Sequence, residues 1–243
     1  MNETESYALN YKNLAFEKQI SDLRRRVVLS RIDLHGSKRC LEVGCGLDPL
    51  FQYLNPNMCT LTLEPNAEFF ENALKKASKF KKAKVINARL EELNDFDKFD
   101  FISITSLLHE VPDENVFLSA ISSFVDENTI IHFNVPNAKS FHRRLATHMG
   151  LIEKVYEISQ TQKLMQQEKR PFDMESLTKL VTDYGFKVLE SGGHFIKPFT
   201  HAQMSDMIKH NLIDEAIING LYSMGAEYPD FASEIWIDCV REV

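Results

Sequence analysis

Residues 42–46 read Glu-Val-Gly-Cys-Gly, and the fold expected of the whole chain follows from this short stretch. The stretch ends an apolar strand signal that begins at Cys40, and a short helix is predicted after Pro49. Glycines in a strand-to-helix turn let the backbone approach a ligand closely, because no Cβ intervenes and a positive φ is accessible. The stretch therefore predicts a nucleotide-type site at the carboxyl end of a strand.

Two nearby features indicate which kind of nucleotide site this is. A dinucleotide fingerprint needs a glycine three residues after Gly46, where the chain has Pro49. Glu64 ends the next strand signal, twenty residues after Gly44, which is the usual place of a carboxylate that accepts hydrogen bonds from two ribose hydroxyls. The pattern disfavours a nicotinamide-dependent oxidoreductase. Glu42 either orients one end of the ligand or caps the helix that follows.

Strand and helix signals alternate outward from this turn. The strand signals span 40–44, 60–64, 84–87, 99–105 and 129–135, and the helix signals follow Pro49 and span 67–78 and 115–124. Such alternation gives parallel strands, and right-handed crossovers make the sheet doubly wound. We predict an α/β fold: a Rossmann-like, doubly wound, mostly parallel sheet with an N-terminal helical lid and a helical cap inserted after the fifth strand.

We expect one domain over residues 1–243. It comprises N-terminal helices in 1–36, a cofactor-binding core in 37–136, a helical cap in 137–172, and the remaining helices and strands of the sheet in 173–243. The N-terminal helices either form a lid or pack on the sheet. In the last region a helix is expected to begin at Asp173 and end at Gly185, before a further strand, another helix and a final strand.

The composition limits the classes of molecule that the protein is expected to bind. The formal net charge is −7 and basic residues are interleaved with acids, so polymeric nucleic acid is not expected as a partner. We expect the short runs 24–26 and 75–84 to be solvated helix faces. The four cysteines show no C-x-x-C pairing, and no stretch reaches the length of a membrane span or resembles a secretion signal. These features predict a cytoplasmic protein with no membrane partner and leave a homo-oligomer open.

The motifs resemble the class I S-adenosylmethionine-dependent methyltransferases, whose first motif is an acid-x-Gly-x-Gly loop like LEVGCG at 41–46. The resemblance continues through 64–66, through INARLEEL at 86–93 and through KFDFISITSLLHEVPD at 98–113. It implies a methyltransferase that uses S-adenosyl-L-methionine and releases S-adenosyl-L-homocysteine. Residues 135–145 resemble a subgroup associated with small metabolites or cell-surface glycans.

The resemblance implies a set of cofactor-binding residues at the carboxyl ends of four strands. They are Glu42, Gly44, Cys45, Gly46, Glu64, Pro65, Ala88, Arg89, Leu90, Thr105 and Ser106. Arg89 departs from the acid usual in the family, so its adenine contact is expected from the backbone. Asp48 stands where a third glycine is often found, and we expect it to cap the following helix.

The acceptor residues are predicted less directly. His109 is the first candidate for a general base, with Glu110 as its orienting partner, and His142 is the alternative; either histidine could instead only shape the pocket. The candidate acceptor-binding residues are Asn134, Arg143, Arg144 and His194, with Lys197 beside them. The two arginines either hold a phosphate or carboxylate or lie in water on an amphipathic helix.

These features predict O-methylation of a small metabolite, sugar-like or phosphorylated, such as a nucleotide-activated precursor of capsule or other surface polysaccharide. The alternatives are N-methylation of a small molecule and a non-catalytic module that binds S-adenosylmethionine. No metal-ligand spacing such as H-E-x-x-H occurs, so metal-independent transfer is expected.

Overall fold

A seven-stranded sheet forms the centre of the computed structural model, which describes residues 9–93, 97–158, 162–163 and 171–242. The strands are β1 (Arg39–Val43), β2 (Cys59–Leu63), β3 (Ala83–Ile86), β4 (Phe101–Thr105), β5 (Ile130–Pro136), β6 (Phe186–His194) and β7 (Glu234–Arg241). The helices are α1 (Glu17–His35), α2 (Ala67–Ala77), α3 (Glu114–Ile121), α4 (Phe141–His148), α5 (Met174–Asp183), α6 (His201–Lys209) and α7 (Glu215–Glu227).

The strand order is β3-β2-β1-β4-β5-β7-β6. Strands β1 to β5 are parallel, and β7 is antiparallel to both β5 and β6. The predicted Rossmann-like, mostly parallel sheet is therefore confirmed. The reversal of strand order on either side of β1 places a crevice at the carboxyl edge of β1 and β4, where ligands of such sheets bind.

Local signals in the sequence account for several element ends. Gly36 adopts a φ of 63° directly after α1, and Gly185 a φ of 76° just beyond α5, a conformation that glycine adopts at little cost. The carboxylate of Asp173 accepts from the backbone N–H of Ser176 at the start of α5. The expected helix start at Asp173 and stop at Gly185 are both confirmed.

The two faces of the sheet differ in chemistry. One face is apolar and packs against α3 and α5, with residues such as Ile102, Phe133 and Ile237 in one continuous core. The other face, called the polar face below, carries a row of polar side chains that the strand registers place together: Glu42, Ser103, Thr105, His132, Asn134, Asp238, Glu234 and His194. Helix α1 covers this face.

Helix α1 satisfies part of the polar face with buried arginines. Arg24 makes a two-point contact with Glu234, its Nε lying 2.8 Å from Oε2 and its Nη2 2.5 Å from Oε1. Arg31 Nε lies 2.6 Å from Asp238 Oδ2. The expectation that residues 24–26 form a solvated face is therefore wrong for Arg24, because its guanidinium is needed inside to balance an acid from a distant strand. Helix α1 is part of the core.

Within the described residues, the predicted cap begins with helix α4, and residues 162–163 are again helical. Helix α4 ends at His148, and residues 149–158 form turns and bends rather than the continued helix that we expected. Residues 159–161 and 164–170 of the predicted cap, and residues 1–8 of the predicted N-terminal helices, lie outside the described residues. Among the described helices, none is long and apolar enough to cross a bilayer.

Candidate active site

A cavity of about 1550 Å³ opens at the carboxyl edge of β1, β2 and β4. Its wall includes Gly44 to Gly46, Glu64 and Ser106, and it continues along the polar face as far as His109. Pockets for a single small ligand are usually about 300–1,000 Å³. The cavity is therefore large enough to hold a second small molecule beside a nucleotide.

The glycine loop is shaped by its backbone and by Glu64. Gly44 has a φ of 75° and Gly46 a φ of 54°, values that side-chain-bearing residues rarely adopt. The backbone N–H groups of Cys45 and Gly46 both donate to Glu64 Oε2 at 3.0 Å. Glu64 is buried, and this burial raises the pKa of its carboxyl, while the backbone donors act in the opposite direction. The acid that ends β2 thus fixes the loop that follows β1.

Glu42 serves as a cap in this geometry. Its two carboxylate oxygens accept from the backbone N–H of Leu50 at 2.9 and 3.1 Å, and the hydroxyl of Thr62 donates to it at 3.0 Å. Burial raises the pKa of Glu42 to about 8. Its side chain also lines the cavity, so capping and an additional contact to a ligand are compatible.

The expectation that Asp48 caps the helix is wrong. Its carboxylate accepts from the side chains of Gln52 at 2.8 Å and Tyr53 at 2.6 Å and forms an ion pair with Arg25 at 2.7 Å. The N–H group at the start of this short 3-10 helix is already bonded to Glu42, so Asp48 stabilises the outer side of the turn instead.

The ends of β3 and β4 complete the cofactor side of the cavity. Ala88, Arg89 and Leu90 line it after β3, as do Thr105 and Ser106 at the end of β4. Ser106 has a φ of 52°, and its N–H donates to the carbonyl of Asn134 at 2.8 Å. A non-glycine residue held in this region is strained, which often marks a functional position. Glu42, Glu64, Pro65 and the glycine loop line the same cavity, so every predicted cofactor residue is found in its wall.

A wall that was not predicted residue by residue comes from the chain before α1 and from the first residue of that helix. Tyr11, Leu14 and Glu17 line the cavity, and the Tyr11 hydroxyl lies 3.6 Å from where a Cβ on Gly46 would stand. The Tyr11 ring packs edge-on against Phe69 with centroids 5.8 Å apart. This segment forms the lid-like part of the N-terminal region, while α1 packs on the sheet. The apolar spacing from Tyr11 onward was its only sequence signal.

Comparison with known proteins agrees with this geometry. A family model described as a methyltransferase domain matches residues 14–191. The chain belongs to the S-adenosylmethionine-dependent methyltransferases. No curated protein matches the sequence. The predicted family, class of enzyme and cofactor are confirmed, whereas the resemblance of residues 135–145 to a subgroup stays a prediction.

Solved methyltransferase structures share the fold at low identity. The plantazolicin methyltransferase BamL, solved with S-adenosylhomocysteine, is 16% identical with a TM-score of 0.63, over 94% of this chain and 88% of BamL. The StiE O-methyltransferase is 12% identical with a TM-score of 0.55, over 91% and 74%. The N-methyltransferase NodS from Bradyrhizobium japonicum is 11% identical with a TM-score of 0.53, over 96% and 90%. Because oxygen and nitrogen methyltransferases share this fold, the fold does not decide the acceptor atom.

The residues of this methyltransferase fit its cofactor. Gly44 presents no side chain to the cavity, and the buried Glu64 carboxylate lies where the family places its ribose contact. Glu42 offers a buried carboxylate on the adjoining strand. We propose that these residues hold the ribose and the methionine end of S-adenosylmethionine.

We predict that Glu42→Gln weakens S-adenosylhomocysteine binding about tenfold, because the amide can still cap Leu50 but cannot ionise, whereas the methionine ammonium would lower the raised pKa of Glu42 and favour its carboxylate. Since folding raises the pKa of Glu42 from 4.5 to about 8, its ionisation makes the protein less stable as pH rises through this interval. The variant should therefore lose less stability than the parent between pH 6 and pH 9. Calorimetric titration and thermal unfolding would measure both effects. The control is Glu71→Gln, at an exposed position. Unchanged affinity in Glu42→Gln would show that Glu42 does not contact the methionine ammonium.

His109 lines the cavity and is only 6% exposed. Its Nδ1 has no hydrogen-bond partner among the described residues, and its Nε2 lies 3.7 Å from Glu110 Oε1. Burial is the main reason that the pKa of His109 is lowered to about 4, so the imidazole is neutral near pH 7. A proton on Nε2, facing the Glu110 carboxylate, leaves the Nδ1 lone pair free to accept a proton.

Two other predicted acceptor residues lie on the polar face. Asn134 is fully buried, and neither its amide oxygen nor its amide nitrogen has a hydrogen-bond partner in the part of the chain that the structure describes. His194 Nε2 lies 3.4 Å from Glu234 Oε2, but neither ring nitrogen makes a hydrogen bond to a described residue. Neither residue is among those that line the cavity. Buried polar atoms are normally paired, so those of Asn134 and His194 stand out on a face that leads into the cavity.

The arginines of α4 do not line the cavity described above. Arg143 Nε donates to the carbonyl of Val155 at 2.7 Å, and Arg144 Nε donates to the carbonyl of Lys139 at 2.5 Å. The Arg144 guanidinium also lies 4.8 Å from the centroid of the Phe231 ring. These contacts stabilise the packing of α4 against neighbouring residues. The sequence had suggested either anion binding or solvent exposure for the two arginines, and it predicted neither of these contacts. Direct binding of the acceptor by Arg143 and Arg144 stays a prediction.

Proposed function

We propose that the methyltransferase methylates an oxygen of a small polar metabolite whose hydroxyl reaches His109. The observation that carries this proposal is the neutral, buried imidazole of His109, whose Nδ1 has no hydrogen-bond partner among the described residues and which lines a cavity large enough for two ligands. A hydroxyl needs a base for its proton as it reacts, whereas an alkyl amine that binds unprotonated does not.

S-adenosylmethionine supplies the methyl group, which its sulfonium activates for in-line displacement. The chain contributes position and one proton acceptor. Glu64, Glu42 and the glycine loop hold the cofactor, His109 Nδ1 takes the hydroxyl proton, and Glu110 orients the imidazole. Asn134 offers a further donor and acceptor pair for the acceptor molecule. Because alignment supplies much of the acceleration in such a displacement, no protein nucleophile is required.

The resemblance of residues 135–145 to a subgroup that modifies metabolites and surface glycans supports a sugar-like acceptor. A phosphorylated sugar or a nucleotide-activated precursor of cell-surface polysaccharide is the acceptor class that we place first. The test is methyl transfer from isotopically labelled S-adenosylmethionine into a pool of nucleotide sugars, phosphorylated metabolites and their amino analogues, read by mass spectrometry. Label in a methyl ether supports the proposal. Label in a methylamine, or cofactor binding without any labelled product, contradicts it.

We predict that His109→Ala lowers kcat about 100-fold while leaving S-adenosylhomocysteine affinity within about twofold, because a general base contributes roughly 10²–10⁴-fold and does not hold the cofactor. Steady-state kinetics with the labelled product as readout would measure this. His148→Ala, at an exposed position near the end of α4, is the matched control. If His109→Ala turns over at the parent rate, His109 is not the base.

A further inference from the structure

A buried lysine lies just beyond β6 without an acid partner. Lys197 is 4% exposed, and its ammonium lies 3.2 Å from His201 Nε2. Among the described residues it makes no other hydrogen bond and no ion pair. An ammonium has three N–H donors, and burying one without an anionic partner is costly. The chain therefore places a cation where an anion would stabilise it.

Two neutral histidines, His142 and His201, and the charged Arg143 lie around Lys197. Burial and the charge of Lys197 lower the pKa of His201 to about 3, and burial together with Lys197, His201 and Arg143 lowers that of His142 well below its usual value. The pKa of Lys197 falls to about 8, chiefly through burial. The atom Nδ1 of His142 is buried and makes no hydrogen bond to any residue that the structure describes. These side chains mutually disfavour protonation, which an anion between them would reverse.

The two nearest acids are already engaged. Glu234 and Glu17 both raise the pKa of Lys197 without contacting it. Glu234 is held by the two-point contact with Arg24, and Glu17 accepts from the hydroxyl of Ser21 at 3.2 Å. Glu17, whose charge acts on Lys197, also lines the cavity, although Lys197, His142 and His201 are not among its lining residues.

Two helix N-termini meet at this cluster. His142 lies in the first turn of α4, and His201 is the first residue of α6. Neither first turn contains an acid, whereas those of the other helices numbered here do, at Glu17, Glu68, Glu114, Glu175 and Glu215. The hydroxyl of Ser140, the residue before α4, is buried and has no hydrogen-bond partner within the described ranges. Helix N-termini favour negative charge and offer free N–H groups to an anion.

We propose that Lys197, His142 and His201, at the N-terminal ends of α4 and α6, bind an anionic group of the acceptor, a carboxylate or a phosphate. This inference rests on the proposed function, because it concerns the same acceptor. It gives the substrate two features: a hydroxyl that reaches His109 and an anion that reaches Lys197. Arg143 contributes its charge from a short distance, since its own donors are bound to carbonyl and amide oxygens.

Anion binding can be measured without turnover. Inorganic phosphate and acetate are titrated separately into the full chain saturated with S-adenosylhomocysteine, and the imidazole NMR signals of His142 and His201 are followed. We expect saturable shifts with at least one of the two anions, which also tells phosphate from carboxylate preference. Lys197→Met should weaken this binding about 10- to 100-fold, as expected for loss of one buried charge-assisted contact. Lys197→Arg should restore part of it, and the exposed Lys209→Met is the control.

An assay of methyl transfer distinguishes the proposed anion site from the proposed O-methylation. Labelled transfer is compared for hydroxy acids, phosphate monoesters and their neutral amide or dephosphorylated counterparts. We expect the anionic members to be preferred and Lys197→Met to raise their KM about 10- to 100-fold with unchanged S-adenosylhomocysteine affinity. Equal use of neutral acceptors by parent and variant overturns the anion site but leaves O-methylation standing. Anion binding without methyl transfer supports the site and contradicts the O-methylation proposal. Loss of S-adenosylhomocysteine affinity in Lys197→Met would assign the lysine to the cofactor and overturn the anion site.

Discussion

Gly44→Val is expected to lower S-adenosylhomocysteine affinity by more than about 100-fold while the protein stays folded. Gly44 has a φ of 75°, and a β-branched residue in this region costs at least about 1–2 kcal/mol in the backbone alone. A Cβ there would meet only Leu107 Cδ2 at 3.6 Å, an ordinary contact, so the protein itself leaves room. The valine methyl groups would then extend into the cavity that the cofactor requires.

The control for this substitution is Gly36→Val. Gly36 also has a positive φ, 63°, and a Cβ at this position meets nothing within 4 Å. It lies at the end of α1, away from the cavity, so it reproduces the backbone strain without obstructing the site. Calorimetric titration should show parent-like affinity for Gly36→Val. Equal affinities of Gly44→Val and the parent would show that the cofactor does not bind against this loop.

Arg24→Met is expected to destabilise the protein by about 3–5 kcal/mol, because it leaves Glu234 buried without its counter-ion. For a chain of this size the loss corresponds to roughly 10 °C in Tm. The control is Arg39→Met, which removes a pair with Asp97 that is exposed on both sides. Such pairs contribute about 1 kcal/mol or less. If Tm falls no further in Arg24→Met than in the Arg39→Met control, the buried pair contributes little to stability.

The same pair gives a pH dependence with a defined sign. The guanidinium of Arg24 helps to lower the pKa of Glu234 from 4.5 to about 2 in the folded protein, against the effect of burial. A depressed carboxyl pKa stabilises the fold above about pH 4.5, and this stabilisation is lost as the pH falls toward 2. The difference in stability between the parent and Arg24→Met should therefore shrink below pH 4.5. Thermal unfolding at pH 3 and pH 7 measures it.

The sheet and the cofactor loop could be predicted because their signals are local. The Glu-Val-Gly-Cys-Gly turn, the acid at the end of β2 and the caps at Asp173 and Gly185 each depend on residues a few positions apart. The class of fold and the cofactor followed from them. The loop conformation itself confirms the reason for glycine, since Gly44 and Gly46 both have positive φ.

The polar face could not be predicted, because its partners lie far apart in the chain. Arg24 and Glu234 are 210 residues apart, and Arg31 and Asp238 are 207 apart. A run of three arginines at 24–26 is typical of a solvated helix face, and only the folded sheet shows that Glu234 lies next to Arg24. Likewise, nothing local shows that Glu42 rather than Asp48 accepts the N–H of Leu50. The local sequence predicts that the helix start is capped, but the tertiary structure determines which acid provides the cap.

The acceptor side was predicted in composition but not in arrangement. The sequence indicated His109, Asn134, His142 and His194 as polar residues near strand ends, and buried nitrogen or oxygen atoms of all four make no hydrogen bond to a described residue. It did not show that the charge of Lys197 acts both on His142 in α4 and on His201 in α6, because these helices are some sixty residues apart and come together only through the fold.

The central claim is that the cofactor lies on the glycine loop with the acceptor side of the cavity beside it. A crystal structure with S-adenosylhomocysteine tests this claim most directly. We expect the ligand in contact with Gly44, Glu64 and Ser106, with its sulfur facing the part of the cavity that leads to His109. A ligand bound elsewhere, or one whose sulfur faces away from His109, would contradict the account.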